Sequence, residues 1–358
     1  MSIKNFFLKQ LKSLKTIFNF SSRIVGIDLG TSNTSMCLQN VGIVLNECSA
    51  VSFNSENNSE QVYLCGNDAK NLIGKTPFKI DVISPIQNGS VSYYNITEKM
   101  LKEFLSRIIK ENVFFRPSII CNIACNSTDA EKKILQEILE RCNSKNVYLV
   151  YSSIVAAIGC NMEINKPIGN LIINIGGGIT EISVISLGCI IQNKTIKYGG
   201  QRVDNCISKY IEKKYHLLIG ESMAEEIKKN IGVVFLQEDE EPKKYIVHGR
   251  DILTNTPKEV LITQEDIVIA MAEFTNLLID NLNQILESTQ PELMKDIIKN
   301  GITVCGGMAK LKNIDYVINK ITGLKVNIAD ESELCVIKGI YKIISNYKEY
   351  SQLLFKQF

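Results

Sequence analysis

The sequence predicts an α/β protein whose two duplicated halves face a common cleft. Buried, β-branched stretches alternate with helix-forming stretches along most of the chain, a pattern typical of sheets covered by helices. A hairpin with a glycine-containing turn occurs twice, at Gly30 and at Gly177, about 147 residues apart, which indicates internal duplication. The chain has 358 residues, more than one average domain holds, so we expect two lobes.

The first half opens with the first of these hairpins. An apolar strand over residues 23–29 is followed by a turn at 30–34 and a second strand at 35–38. Thr128 and Glu131 have the spacing of a capping box, which predicts the start of a helix. The other predicted elements are a helix at 97–110, a buried strand at 118–124, the end of the capped helix at about 142, a strand at 146–150 and a helix from 154.

The second half repeats the hairpin and continues with helices. A strand at 171–175, a glycine turn at 176–178 and a strand at 182–187 form the repeat. Ser222 and Glu225 have the spacing of another capping box. The remaining predicted elements are a long helix at 263–287, a strand at 301–305, the pair Gly306 and Gly307, and a helix after it.

The charge balance and the cysteines exclude several classes of protein. Forty basic and 38 acidic residues give a net charge of +2, which provides no general attraction to nucleic acid. Eleven cysteines lie scattered, mostly inside apolar stretches, and the closest pair, Cys121 and Cys125, has no second pair at metal-ligand spacing. We therefore expect buried free thiols in a reducing cytosol rather than disulfides or a zinc site. No uncharged apolar stretch is long enough to span a membrane, and residues 1–20 lack the features of a signal peptide.

The first 20 residues have the pattern of an amphipathic helix with a basic polar face. Such a helix can lie in a membrane interface, with its lysines toward anionic head groups. A helix packed on its own domain and a frayed leader are the alternatives, but four lysines without an acid, beside exposed phenylalanines, favour the membrane. The apolar arc holds Ile3, Phe6, Phe7, Leu11, Leu14, Ile17 and Phe18, and the opposite face holds Lys4, Lys9, Lys12 and Lys15.

Three glycine-bearing turns follow predicted strands, at residues 28–34, 176–178 and 306–308. Phosphate oxygens need converging N–H donors without side-chain obstruction, and glycine turns provide both. One such turn is weak evidence, because glycine turns usually only join strands. Three of them in this order and spacing predict a nucleotide-binding cleft.

The first turn, with the sequence IDLGTSNT from Ile27 to Thr34, resembles the first phosphate loop of the superfamily of actin, heat-shock chaperones and sugar kinases. Longer stretches are similar to the MreB family, and the resemblance runs from about Ile24 to Gly339. It implies an actin-like (ribonuclease H-like) fold of duplicated domains that face an ATP cleft. The similar stretches are residues 42–47, 69–77, 97–101, 180–188, 215–221 and 249–251.

We predict the following division of the chain on this basis. Residues 1–22 form the leader, 23–165 the first lobe and 166–324 the second lobe. The small subdomains of the lobes are expected at about 52–94 and 201–262, and residues from about 325 to 358 are expected to return to the first lobe.

The resemblance implies ATP and Mg²⁺ as ligands and assigns their contacts. Residues 31–33 match the loop that holds the β- and γ-phosphates, and 176–178 match the second phosphate loop. Residues 225–228 match the contacts to ribose and adenine, and residues 306–309 match the adenosine motif, where Met308 replaces a third glycine. The implied nucleotide-binding residues are Thr31, Ser32, Asn33, Gly176, Gly177, Gly178, Glu225, Glu226, Ile227, Lys228, Gly306, Gly307, Met308 and Ala309.

Two positions depart from the acids that the family uses for ATP hydrolysis. Asp28 matches the acid at the metal and is kept, whereas Ser152 stands in the stretch that normally supplies the water-positioning glutamate. Asn174 replaces an aspartate that steadies the water shell of the metal, and Ile179 replaces a threonine. Losing a general base typically costs about 10²–10⁴ in rate, so we expect a diverged paralogue that binds ATP but hydrolyses it slowly or not at all. The alternative is that an acid from elsewhere fills the gap.

The expected function is a filament on the inner face of an anionic membrane, in the cytoplasm, with a role in cell shape or motility. The resemblance implies self-assembly and makes paralogous MreB subunits candidate partners. Phe114 and Phe115 match an apolar loop tip similar to the membrane-inserting loop of MreB, with a buried aromatic pair as the alternative. A sugar-kinase-like enzyme is the alternative function, although no candidate base for a sugar hydroxyl is evident. A chaperone would need a further domain, for which a chain ending at Phe358 leaves no room.

Overall fold

The computed structural model describes residues 24–54, 62–77, 79–109 and 116–356. The predicted leader, with Phe6 and Phe7, and the predicted loop tip, with Phe114 and Phe115, lie outside the described residues. None of the described helices combines the length and the apolarity needed to cross a membrane.

The strands of the first half are β1 (Ile24–Leu29), β2 (Asn33–Leu38), β3 (Gly42–Cys48), β4 (Val51–Asn54), β5 (Val62–Cys65), β6 (Ile80–Ile83), β7 (Ile86–Gln87), β8 (Ser90–Val91), β9 (Ser118–Ile123) and β10 (Asn146–Tyr151). Its helices are α1 (Asn67–Lys70), α2 (Tyr94–Ile108), α3 (Asp129–Arg141) and α4 (Ser152–Gly159).

The strands of the second half are β11 (Asn170–Ile175), β12 (Thr180–Ser186), β13 (Cys189–Ile196), β14 (Leu217–Leu218), β15 (Lys244–Asp251), β16 (Pro257–Thr263), β17 (Ile302–Cys305) and β18 (Val326–Ile328). Its α-helices are α5 (Gly200–Tyr215), α6 (Glu221–Ile231), α7 (Gln264–Ser288), α8 (Pro291–Asn300) and α9 (Ile314–Thr322), followed by the C-terminal α10 (Cys335–Ser345) and α11 (Tyr347–Tyr350). Short 3₁₀ helices occupy Gly307–Lys310, Ser332–Leu334 and Ser351–Leu353.

Two five-stranded sheets with the same topology form the centre of the molecule. Their strand orders are β3-β2-β1-β9-β10 and β13-β12-β11-β17-β18. In each sheet, three consecutive strands pair antiparallel, and two later strands add in parallel beside the first of them. The predicted duplication of an α/β unit is therefore confirmed in the sheet topology.

Smaller sheets accompany each half. The sheet β5-β4-β6 and the hairpin β7-β8 fall in or at the edge of the predicted region 52–94, and β14-β15-β16 falls in or at the edge of 201–262. A bridge between Leu149 and Phe355 places the end of the described chain beside β10. The exact lobe boundaries stay predictions.

Buried apolar side chains form three clusters, one in each half and one between them. The third joins Ile120 of the first sheet and Ile172 of the second to residues of α4 and α10. These two helices cross in backbone contact, because a Cβ on Gly159 would lie 1.8 Å from the carbonyl oxygen of Cys335. Only glycine allows that approach, so the crossing fixes the two sheets to a shared core.

The two predicted capping boxes have different outcomes. The box at Thr128 is confirmed, with both reciprocal hydrogen bonds present. The prediction of a capping box at Ser222 is wrong, since α6 begins at Glu221 after Gly220 and no side chain caps this helix. Glu225 instead forms ion pairs with Lys70 and with another lysine, Lys229. Charge attraction over a long sequence separation therefore replaces the predicted local hydrogen bond.

Candidate functional site

A cavity of about 410 Å³ lies between the two halves and is lined by both glycine turns. The turns have the same hydrogen bond, since Gly30 N donates to Asn33 O at 3.1 Å and Gly176 N donates to Ile179 O at 2.9 Å. Each turn links the first two strands of its sheet. The duplicated topology thus delivers two equivalent turns to one cleft.

The two turns touch across this cleft. A Cβ on Gly177 would lie 2.0 Å from Ser32 Oγ, and one on Gly178 would lie 2.3 Å from Thr31 Oγ1. Glycine is required here because any side chain would push the turns apart. On the same side, the Ile179 side chain packs against Gly89 of the first half. Ile179, which stands where the resemblance implies a threonine, therefore fills part of the cleft.

Asp28, at the end of β1, lies on the floor of the cavity and is oriented by Asn122. The Asn122 side chain accepts a hydrogen bond from Leu29 N at 2.8 Å and donates one to Asp28 Oδ1 at 2.8 Å. It also donates to Ser152 Oγ at 3.2 Å. Burial raises the pKa of Asp28 to about 7, although the Asn122 hydrogen bond works in the opposite direction.

Asn174 and Glu181 face each other on the paired strands β11 and β12, and both line the cavity. Glu181 is fully buried, and its Oε1 accepts a hydrogen bond from Cys125 N at 2.8 Å. Its other oxygen, Oε2, has no hydrogen-bond partner among the described residues. Burial raises the Glu181 pKa, an effect that hydrogen bonds from Cys125 and Asn174 partly offset.

The other carboxylates that line the cavity in the described chain have partners. Ser90 Oγ donates to Glu131 Oε1 at 2.6 Å, and Lys310 pairs with Glu333 at 2.6 Å. Glu225 pairs with two lysines, as described above. Of these partners, only those of Glu225 and Glu333 are cations, so Asp28, Glu131 and Glu181 are the lining acids of this region without a salt bridge, and Glu131 is held by neutral donors.

Glu225 on α6 connects the two halves across the mouth of the cleft. Lys70, from the first half, lies 2.7 Å from Glu225 Oε2, and Lys229 lies 2.7 Å from Glu225 Oε1. Burial alone would raise the Glu225 pKa, but hydrogen bonds from Lys229 and Lys70 outweigh it and lower the pKa to about 2. Glu225 is therefore ionised at neutral pH.

Lys228, one helical turn after Glu225, faces the start of α5. Its Nζ donates to Asp204 Oδ2 at 2.7 Å and to Gly200 O at 2.9 Å. Met308 packs on the same glycine, since a Cβ on Gly200 would lie 3.3 Å from the Met308 sulfur. Met308 is buried and lines the cavity, so a thioether takes the place of the third glycine that the family pattern has.

The structure brings most of the sequence-predicted residues together but not all of them. Glu226, Ile227 and Ala309 do not line the cavity. Glu226 accepts a hydrogen bond from Tyr245 at 2.5 Å on the exposed side of α6, and the other two lie in the core of the second half. The predicted residues that do line it are Asp28, Thr31, Ser32, Asn33, Ser152, Asn174, Gly176, Gly177, Gly178, Glu225, Lys228, Gly306, Gly307 and Met308.

Lys70, Asn122 and Glu181 are among the lining residues that were not predicted as site residues. Asn122 and Glu181 lie within strands that are buried along almost their whole length. A polar side chain inside a buried strand is the signal that could have identified both. Lys70 carries no such signal, because it approaches the cavity from an exposed part of the first half.

Comparison with known proteins places the chain in a family. A family model described as MreB/Mbl protein matches residues 22–352. The cell shape-determining protein Mbl of Bacillus subtilis is 36% identical over 325 residues, which cover 91% of this chain and 96% of that protein. The chain therefore belongs to the MreB/Mbl family.

Solved structures show the same fold. MreB 5 of Spiroplasma citri bound to AMPPNP superposes with a TM-score of 0.87 at 32% identity, covering 93% of this chain and 98% of that one. A MamK double helical filament has a TM-score of 0.76 at 18% identity, covering 90% and 98% of the two chains, and this likeness is one of fold alone. The actin-like fold is confirmed, and the family match does not favour the sugar-kinase alternative.

Proposed function

We propose that this member of the MreB/Mbl family is an ATP-binding filament subunit that lies on the inner face of the cell membrane and hydrolyses ATP slowly or not at all. The observation that carries the proposal is the composition of the cleft. Two glycine turns meet beside one retained acid, Asp28, while the uncharged Ser152 and Asn174 line the same cavity. A relative that is 32% identical has been solved with AMPPNP, an ATP analogue.

In this proposal the two turns hold the phosphates and the α6 side of the cleft holds the nucleoside. Backbone N–H groups at residues 31–33 and at Gly177 and Gly178 supply donors without charge, which suits a phosphate chain. Glu225 and Lys228 lie on one face of α6 and can contact ribose and adenine. The cavity of about 410 Å³ lies within the usual range for small-molecule sites.

The oxygen ligands near Asp28 fit a magnesium ion. Mg²⁺ is usually held by one or two carboxylates together with substrate phosphates, and Asp28 offers one carboxylate on the cavity floor. When bound, Mg²⁺ would neutralise phosphate charge. The Asn122 amide keeps the Asp28 carboxylate oriented, and Ser152 and Asn174 contribute uncharged oxygens nearby.

Hydrolysis requires a group that accepts a proton from the attacking water. The Ser152 hydroxyl and the Asn174 amide cannot hold that charge. Glu131 is held by hydrogen bonds from Ser90 and Thr128. Glu181 is a further lining acid without a cation partner, but one of its oxygens is occupied by Cys125 N and burial favours its neutral form. It is therefore a poor substitute, and slow turnover follows.

Assembly and membrane binding extend the proposal beyond the cleft. The curated relatives are cell shape-determining proteins, and we infer a cytoplasmic filament made of this chain, with paralogous subunits as further candidate partners. Phe6, Phe7, Phe114 and Phe115 supply the apolar contacts to an anionic bilayer in this proposal. The proposed filament acts in cell shape or in motility.

Isothermal titration with ATP and Mg²⁺ tests the cleft. Gly177→Ala should weaken ATP binding more than about tenfold, since its Cβ would collide with Ser32 and separate the turns. Gly220→Ala is the matched control, because nothing lies within 4 Å of its Cβ position. If the parent chain takes up no adenine nucleotide, the proposed function is wrong.

Sedimentation with liposomes tests the filament and the membrane. The full chain should pellet with anionic vesicles and ATP, and less with neutral vesicles. Removing residues 1–20, or replacing Phe114 and Phe115 by Asp, should reduce lipid binding while pelleting of filaments alone persists. Lipid binding that both changes leave intact would refute the membrane contacts proposed here.

A further inference from the structure

Three cysteines that are far apart in the sequence meet behind the cleft. Cys160 follows the last residue of α4, Cys305 ends β17, and Cys335 begins α10. Their sulfur atoms all lie within 4.8 Å of one another, and this is the only such group of potential metal ligands in the described ranges. The scattered spacing predicted separate thiols, and the fold instead concentrates three of the eleven.

Rigid elements hold all three positions. The α4–α10 crossing brings the backbones of Gly159 and Cys335 into contact beside two of the sulfurs. Cys305 is fixed by the parallel pairing of β17 with β11, where it lies opposite Asn174. Cys305 and Cys335 are buried, and Cys160 is half-buried, so one side of the cluster remains open to a water molecule. A ligand set held by packed elements needs little reorganisation to bind.

The surrounding charge suits a cation bound by thiolates. Lys342 Nζ donates to the carbonyl oxygens of Ile158 and Gly159 at 2.8 and 3.2 Å, next to Cys160. Lys338 lies on the same helix as Cys335 and Lys342, so two lysines supply positive charge on this side, which favours thiolates over thiols.

We propose that Cys160, Cys305 and Cys335 form a site for a thiophilic divalent cation, Zn²⁺, in which three thiolates and one water complete a tetrahedron. Zinc–sulfur bonds of about 2.3 Å place tetrahedral thiolates about 3.8 Å apart, so the sulfurs need to close by at most about 1 Å. Three thiolates and Zn²⁺ carry one net negative charge, which Lys342 offsets. The same thiolates with Cu⁺ would carry two net negative charges. The cluster adjoins the nucleotide cavity through Asn174, whose Oδ1 accepts a hydrogen bond from the Cys305 thiol at 3.7 Å, but its sulfur ligands differ from the oxygen ligands that Mg²⁺ prefers.

Cobalt titration of the reduced full chain, without nucleotide, tests the site independently of the proposed function. One equivalent of Co²⁺ should bind with sulfur-to-cobalt charge-transfer absorption and tetrahedral ligand-field bands, and Zn²⁺ should displace it. Cys160→Ser, Cys305→Ser and Cys335→Ser should each weaken binding more than about 100-fold, since even an outer-shell partner is typically worth 10–100-fold. Cys142→Ser, a buried thiol outside the cluster, and Cys189→Ser, an exposed one, should change nothing.

Alkylation mapping keeps the test valid if a cluster variant fails to fold. In the unmodified chain, Zn²⁺ should protect Cys160 and Cys335 from alkylation under mild denaturation, while Cys142 reacts as before. Absence of thiolate bands with Co²⁺ would overturn the proposal. Equal loss of binding in the Cys142 or Cys189 control would overturn it as well, and so would equal protection of Cys142.

Discussion

On the proposed function, Ser152→Glu should accelerate ATP hydrolysis, because it would place a carboxylate where the family resemblance implies the water-positioning acid. Ser152 is the first residue of α4, lies on the cavity wall and accepts a hydrogen bond from Asn122. The first turn of α4 holds no acid. A glutamate there would extend into the cavity from a helix N-terminus, which favours negative charge.

The expected gain follows from two opposing effects. A general base contributes about 10²–10⁴ in rate, or about 2.7–5.4 kcal/mol of barrier at about 1.36 kcal/mol per decade. The helix N-terminus stabilises the new charge by about 0.3–1 kcal/mol, but Asp28, joined to Ser152 through Asn122, opposes it. Asn174 also stays neutral. We therefore expect the lower end of the range, a gain of about 100-fold.

Single-turnover phosphate release at saturating ATP and Mg²⁺ measures this gain. Ser152→Gln is the matched control, since glutamine has the size of glutamate without the charge. Nucleotide affinity of both variants should be measured by titration, so that binding and chemistry are separated. If Ser152→Glu binds ATP as the parent does and releases phosphate no faster than Ser152→Gln, the missing carboxylate is not what limits hydrolysis.

The remaining predictions concern the cavity floor and the helix crossing. Asn174→Asp should accelerate phosphate release less than the glutamate variant, because its carboxyl would oppose buried Glu181 and both would resist ionisation; an equal gain would contradict this. Gly159→Ala should lower the free energy of unfolding in denaturant by about 1–3 kcal/mol or more, since its Cβ would lie 1.8 Å from a backbone oxygen. Gly307→Ala is the control, because nothing lies within 4 Å of its Cβ position, and it should change this free energy by less than about 0.5 kcal/mol. The raised pKa of Asp28 means that the folded state holds its proton more tightly than the unfolded state, so nucleotide-free stability should fall as pH rises from about 4 to 7. Asp28→Asn should remove up to about 4 kcal/mol of that fall, and identical pH profiles for parent and variant would refute the assignment.

Much of the fold could be predicted because its signals are local. The strand–turn–strand hairpins, the capped helix at Thr128 and the buried strands depend on residues a few positions apart. Ser222 shows the limit of that reasoning. Its capping motif is present in the sequence, but Glu225 is drawn to Lys70, which lies 155 residues away in the chain and 2.7 Å away in space.

Prediction of the site residues, like that of the fold, succeeded where the signal was local and failed where it depended on distant parts of the chain. The glycine turns and the neutral positions 152 and 174 could be predicted by resemblance, and the structure places them on one cavity. The orienting role of Asn122 could not be predicted, since it depends on β9 lying beside β1. The cysteine cluster depends on three elements from distant parts of the chain, and no spacing rule identifies such a group.

Charge is distributed unevenly along the cleft, and this bears on what a bound nucleotide would do. At the α6 end, ion pairs from Lys70 to Glu225 and from Lys228 to Asp204 already join neighbouring elements. At the turn end, the halves meet through Ser32 and Gly177 without any ion pair between those turns. A triphosphate would therefore add most to the contact between the halves where the protein supplies least. Slow hydrolysis would preserve that contact, so closure of the cleft should persist for as long as ATP stays bound.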